Sequence, residues 1–129
     1  MKTCLNPPTL PRNPAFSQAI VVAHPSATIY IGGQNAVSVD GKIVGETLGE
    51  QTAQALANVE AALAAADATI DDVVRWNIAI IEGQSLGEGF AAFAQRYGMM
   101  RDPPTITVHI VAGLANSAFL VEIDAIAVR

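Results

Sequence analysis

One cysteine, two histidines and seven basic residues are all that 129 positions hold of the side chains that most often carry chemistry alone. A lone Cys4 excludes an intrachain disulfide. It sits in a proline-rich stretch with no His or Asp close behind it, so it reads as an ordinary thiol. His24 and His109 lie too far apart, with Cys4 remote from both, to give metal-ligand spacing, and no metal is expected. The cations Lys2, Arg12, Lys42, Arg75, Arg96, Arg101 and Arg129 are scattered, and the net charge is −5. Nucleic-acid surfaces need clustered Lys and Arg, so no nucleic-acid partner is expected. Long apolar runs are missing too. Stretches such as Ala19-Ile20-Val21-Val22-Ala23 are strand-sized, far short of the roughly 20 residues of a membrane span. Pro7, Pro8, Pro11 and Pro14 interrupt any signal-peptide core. A soluble, cytoplasmic protein without a membrane partner is the expectation.

What is present is apolar. Hydrophobic residues make up 51% of the chain and charged ones only 15%. A chain of this length forms one domain, 1–129, and gains from oligomerisation because small domains bury a modest share of their surface. Residues 1–15 read as an irregular arm. Gln18 to Ala23 and Thr28 to Gln34 are β-rich runs around the turn signal His24-Pro25-Ser26-Ala27, which predicts a hairpin. Asp40-Gly41 marks another turn between short segments at 36–39 and 42–44. From Glu50 the period changes: Ala53, Leu56, Val59, Leu63 and Ala66 form one face of a helix ending near Ala66-Asp67, with Asp67 able to take a left-handed stop. Val73 to Ile81 alternates as a strand. Leu86, Phe90, Phe93 and Tyr97 mark a second helix. Thr105 to Val111 and Phe119 to Val128 complete the set. The pattern predicts an α+β fold, a single mixed sheet with two helices on one face. An apolar second face, with nothing left to cover it, calls for an oligomer.

Five segments in this order resemble the RidA/YjgF family: Phe16-Ser17-Gln18-Ala19; Ile31-Gly32-Gly33-Gln34; Glu50-Gln51-Thr52 with Ala55 to Val59; Ala65 to Val74; and Pro103 to Leu114 followed by Leu120 to Ala127. The resemblance implies a chorismate-mutase-like fold, a homotrimer and a small-molecule cleft at each subunit interface. It also implies hydrolysis of reactive 2-imino or 2-enamino acids to keto acids and ammonia, with no metal or organic cofactor. Other members are described as ribonucleases or translation inhibitors, a role that the acidic charge here disfavours. The family glutamate falls on Glu122, the implied catalytic residue. The arginine that clamps the substrate carboxylate falls on Ile106, a cleft tyrosine on Phe16, a cleft serine on Gly32 and a helix asparagine near Gly87. With Gly33 and Val108, these are the implied substrate-binding positions. Losing the arginine puts ordinary 2-imino acid deamination in question and leaves a non-catalytic metabolite-binding or protein-interaction trimer as the alternative.

The residues themselves add detail. Glu122 and Asp124 alternate with Val121 and Ile123, so their carboxylates share a sheet face roughly 7 Å apart. An acid in an apolar cleft can serve as a general base, while Asp124 reads as a structural rim acid. Ile106, Val108 and Ile110 share a face, taken as the cleft face that a trimer covers. His109 points the other way and is expected to be structural, near the helices. Arg101 is a possible substitute clamp, and Arg75 suits a surface or interface ion pair. Trp76, Phe90, Phe93 and Tyr97 are core aromatics. Gly32-Gly33 precedes no helix, so it suits close approach of a neighbour rather than phosphate binding.

Overall fold

The computed structural model describes residues 1–129. Its strands are β1 Lys2–Leu5, β2 Ala19–Val22, β3 Thr28–Gln34, β4 Val73–Ile81, β5 Thr105–Val111 and β6 Val121–Val128. Its helices are α1 Leu48–Ala65 and α2 Leu86–Tyr97. The main sheet runs β3-β6-β4-β5, with β4 and β5 parallel and the other pairs antiparallel. The expected mixed α+β arrangement is therefore present.

Local chemistry explains the helix ends. Thr47 caps α1: its hydroxyl accepts from the Glu50 N–H at 3.2 Å, and the Glu50 carboxylate accepts from the Thr47 N–H at 3.2 Å. That reciprocal pair satisfies two donors the helix leaves unpaired. After Ala65 the chain turns through Asp67, whose φ of 54° is the left-handed stop expected there. Leu48, Ala55, Leu56, Val59 and Leu63 form the buried stripe of α1. They pack on Trp76, Ile78 and Ile80 of β4 and on Val121, Ile123, Ala125 and Ala127 of β6. Both helices lie on this one face. Arg96 and Tyr97 of α2 hold Glu60 of α1, with Arg96 Nε at 2.5 Å, Nη2 at 3.2 Å and the Tyr97 hydroxyl at 2.7 Å.

Two expectations fail at the N-terminus. The arm is not irregular throughout, because Lys2–Leu5 forms β1. Nor do β2 and β3 make a hairpin. β2 pairs with β1, from Lys2 opposite Val22 to Leu5 opposite Ala19, as a separate two-stranded ribbon. The cause lies in the turn. His24 takes φ 50°, and the Ser26 and Ala27 N–H groups both bond the Arg129 carbonyl. That anchors the start of β3 to the end of β6, and β3 takes β6 as its partner instead.

A third correction concerns faces. In register, Trp76 stands beside Ile106, Ile78 beside Val108 and Ile80 beside Ile110. Residues paired this way share a sheet face. Ile106 and Val108 therefore point towards the helices and pack on the core. His109 lies on the opposite, helix-free face, not near the helices.

Candidate functional site

The helix-free face is built in rows set by register. Glu122 of β6, Ala79 of β4 and His109 of β5 form one row. Asp124, Asn77 and Thr107 form the next, then Ile126, Arg75 and Thr105. Tyr30 of β3 stands beside Ile126 and is 77% exposed. Neither helix covers these side chains. Carboxylates, an imidazole, an amide and a guanidinium thus share one surface, where sequence alone predicted an apolar one.

Glu122 and Asp124 share this face as expected, but their surroundings differ. Asp124 Oδ2 accepts a hydrogen bond from Asn77 Nδ2 at 2.9 Å, which fits a structural role. The Asn77 side-chain oxygen, Oδ1, is buried without a partner within the chain. Glu122 lies against the backbone of Gly33. A Cβ added at Gly33 would stand 2.7 Å from Glu122 Oε2 and 2.8 Å from its carboxyl carbon. The glycine leaves the space the carboxylate fills, as the close-approach reading anticipated. β3 is irregular here: its register with β6 shifts between Ile31 and Gln34. Gly32, by contrast, has no neighbour within 4 Å of its missing side chain.

The other implied positions are dispersed. Phe16 is half-buried at the end of the arm. Its neighbour Ser17 ties the arm to the start of β5: the Ser17 N–H bonds the Pro104 carbonyl at 3.1 Å and its hydroxyl bonds the Pro103 carbonyl at 2.6 Å. Gly87 sits in the first turn of α2, its missing side chain met only by the Ser85 hydroxyl at 3.8 Å. Ile106 and Val108 are on the wrong face to meet Glu122. On Glu122's face, the position at the start of β5 is Thr105. Beside it in register is Arg75, exposed on the same face. Arg101 shares a shallow recess with Lys2, Asp71, Tyr97 and Met99, none of them on the open face. The substitute cation nearest Thr105 is therefore Arg75.

Within one chain the two ends of this site are well separated along the backbone. Thr105 lies two strands across and four residues along from Glu122, or roughly 16 Å between backbone positions at ordinary strand spacing. Arg75 lies roughly 14 Å from Glu122 by the same geometry.

Sequence reasoning missed the side chains that hold this face in place. Gln51 of α1 is 2% exposed. Its amide donates to the carbonyls of Gly45 and Ala118 and accepts from the Leu120 N–H, which fixes the entry to β6. Asn58 donates to the carbonyls of Asn35 and Val37, and Asn35 donates to the Val121 carbonyl. These amides stitch the segment after Gly33 to the strand carrying Glu122. Their signal was polarity on the inward side of an Ala-rich helix.

Among known proteins, the family model described as "Endoribonuclease L-PSP" matches residues 10–129. The chain is 30% identical over 132 residues to "Protein mmf1, mitochondrial" of Schizosaccharomyces pombe, covering 99% of this chain and 76% of that protein. A crystal structure of YyfB from Yersinia pestis, described as a conserved Rid family protein of unknown function, superposes with a TM-score of 0.86. Its identity is 33%, over 99% of this chain and 98% of that one. A member of the YjgF/YER057c/UK114 family from Mycobacterium tuberculosis superposes at 0.68, with 27% identity over the whole of both chains.

Proposed function

Because the chain belongs to the endoribonuclease L-PSP, or Rid/YjgF, family, we propose that it is a cytoplasmic trimer that hydrolyses a reactive imine or enamine at clefts between subunits. Glu122 positions and deprotonates the attacking water. Water adds to the imine carbon, the nitrogen takes up a proton, and the C–N bond breaks to release ammonia and a carbonyl product. Backbone groups at Gly32 and Gly33 orient the substrate. Neither metal nor organic cofactor enters the scheme.

The observation that carries this reading is the setting of Glu122. Its carboxylate rests on a glycine backbone, on a sheet face that the protein's own helices leave uncovered. A general base must lie within hydrogen-bond reach of the proton it takes, and neither helix stands over this one. The separation of Glu122 from Thr105 and Arg75 supports a cleft assembled from two subunits, one bringing the carboxylate and the other the cation. Thr105 cannot form the bidentate pair that an arginine forms with a carboxylate. Arg75 supplies that contact from the adjacent strand.

Ammonia release from a panel of imines generated in situ tests this. Glu122→Gln preserves shape and hydrogen-bonding reach but cannot take a proton. The expected result is ammonia release by the wild type and its loss in Glu122→Gln, with assembly and melting unchanged. For carboxylate-bearing imines, Arg75→Leu should raise KM about tenfold or more, as for loss of a charge-assisted hydrogen bond. For neutral imines it should leave KM in place. Equal activity of Glu122→Gln and wild type would refute the role of Glu122. Absence of turnover across the panel would favour the metabolite-binding alternative.

A further inference from the structure

On the helix side of the sheet, behind the candidate cleft, is a cavity of about 270 Å3 that the hydrolytic reading does not use. Five separate segments wall it: the arm at Pro14 and Ala15, β4, α2, the 98–104 loop and the start of β5. Trp76, Phe93 and Tyr97 form an aromatic cluster at its inner wall. The Trp76 and Phe93 rings meet edge to face at 5.5 Å and 85°, and Tyr97 stacks near Trp76 at 6.3 Å and 20°. Ile106 completes the wall from β5, which is the use the structure makes of that residue. No charged side chain lines the cavity. Its one hydroxyl, on Tyr97, is turned away to Glu60.

We propose that this cavity is a binding site for a small neutral aromatic molecule, a single ring with at most a small substituent. Size and chemistry both select that class. An apolar cavity of about 150 Å3 stays dry and takes benzene, so about 270 Å3 leaves room for a ring and a substituent. Three ring walls offer edge and face contacts that an added ring satisfies. A carboxylate or ammonium would be desolvated there without any partner. A protein partner fits poorly. Of the large apolar side chains in its lining only Phe90 and Met99 are exposed, against the roughly 20–30 residues a side of a stable interface. The ligand would rest against Ile106, while Thr105 and Thr107 on the same strand face the other way, towards the candidate cleft.

Trp76 is the chain's only tryptophan and is 1% exposed, so its fluorescence reports on this cavity. The full-length protein is titrated with bromobenzene, whose heavy atom quenches indole emission on contact, and in parallel with 4-bromobenzoate and iodide. Saturable quenching by bromobenzene alone is expected, half-complete at about 1 mM or below as suits so small a ligand. Ala94→Leu on α2 and Ala15→Leu on the arm each place a larger side chain at the lining. Either should weaken the effect at least about fivefold, since filling a cavity removes the contacts it offers. In the wild type, intermolecular NOEs should connect the bromobenzene protons to the Ile106 and Ile78 methyls. Linear quenching, equal quenching by 4-bromobenzoate, or absence of those NOEs would overturn the proposal. So would full retention of binding in both filled variants. Ammonia release plays no part in these readouts, so failure here and failure of the hydrolytic reading are separable.

Discussion

Gly33 and Glu122 behave as one unit. The carboxylate occupies the volume that any side chain at Gly33 would need, with a contact of 2.7 Å from an added Cβ. Glu122 is flexible enough to move aside, so Gly33→Ala should fold and assemble normally. It should nonetheless displace the carboxylate, and misplacement of a reacting group by about 1 Å can cost about a hundredfold in rate. The expected outcome is a kcat lowered about 10–100-fold with little change in melting, read by ammonia release and thermal denaturation side by side. Asp124 should behave in the opposite way. Asp124→Asn keeps an acceptor for the Asn77 amide and should be close to neutral. Asp124→Ala strands that amide and should cost about 1–2 kcal/mol in denaturant unfolding, the penalty of an unmet polar group.

Among the elements, the helices and the strands β4, β5 and β6 could be read from the chain because each has a strong period. The spacing of Leu56, Val59 and Leu63 and the alternation of Val74, Trp76, Ile78 and Ile80 leave little choice. β1 and its pairing with β2 were hidden: a four-residue strand ahead of a proline-rich stretch has no period, and the pairing was decided by the far end of the chain at Arg129. The same limit applied to the site. Alternation in Thr105–Val111 separates two faces without saying which one the helices cover. Ile106 and Val108 were therefore put in the cleft and His109 under the helices, the reverse of the observed arrangement. Glu122 could be found because its place follows from one strand's pattern, whereas Arg75 becomes relevant only through pairing with Thr105.

At this scale the α1–α2 clamp gives a pH prediction. Hydrogen bonding from Arg96 chiefly holds the Glu60 carboxyl below its ordinary value of 4.5, with partial burial opposing and Tyr97 assisting. A lowered carboxyl pKa stabilises the fold above the ordinary value, and this is lost as pH falls through the lowered one. The side chains of Arg96 and Glu60 are 33% and 36% exposed, so solvent screens the pair. Glu60→Ala should cost about 0.5–1 kcal/mol near neutrality. The gap from wild type should close as the pH falls from 4.5 through the lowered pKa, in melts recorded across the acid range. Asp67→Gly should act the other way, raising stability by about 0.5–1 kcal/mol, because glycine adopts a positive φ without the cost an L side chain carries.

For the whole molecule, the uncovered sheet face is the decisive feature. No helix is long and apolar enough to cross a membrane. The face carries Tyr30 at 77% exposure beside Ile126. A surface of this kind fits association with further copies, which would also bring one subunit's Glu122 towards another's Arg75 and Thr105. Sedimentation equilibrium of the wild type at micromolar concentration is the most direct test. The proposed trimer predicts a mass of about three times the 13.4 kDa chain. A stable 13.4 kDa monomer would contradict it, leaving Glu122 without the opposing residues that the proposed hydrolysis needs.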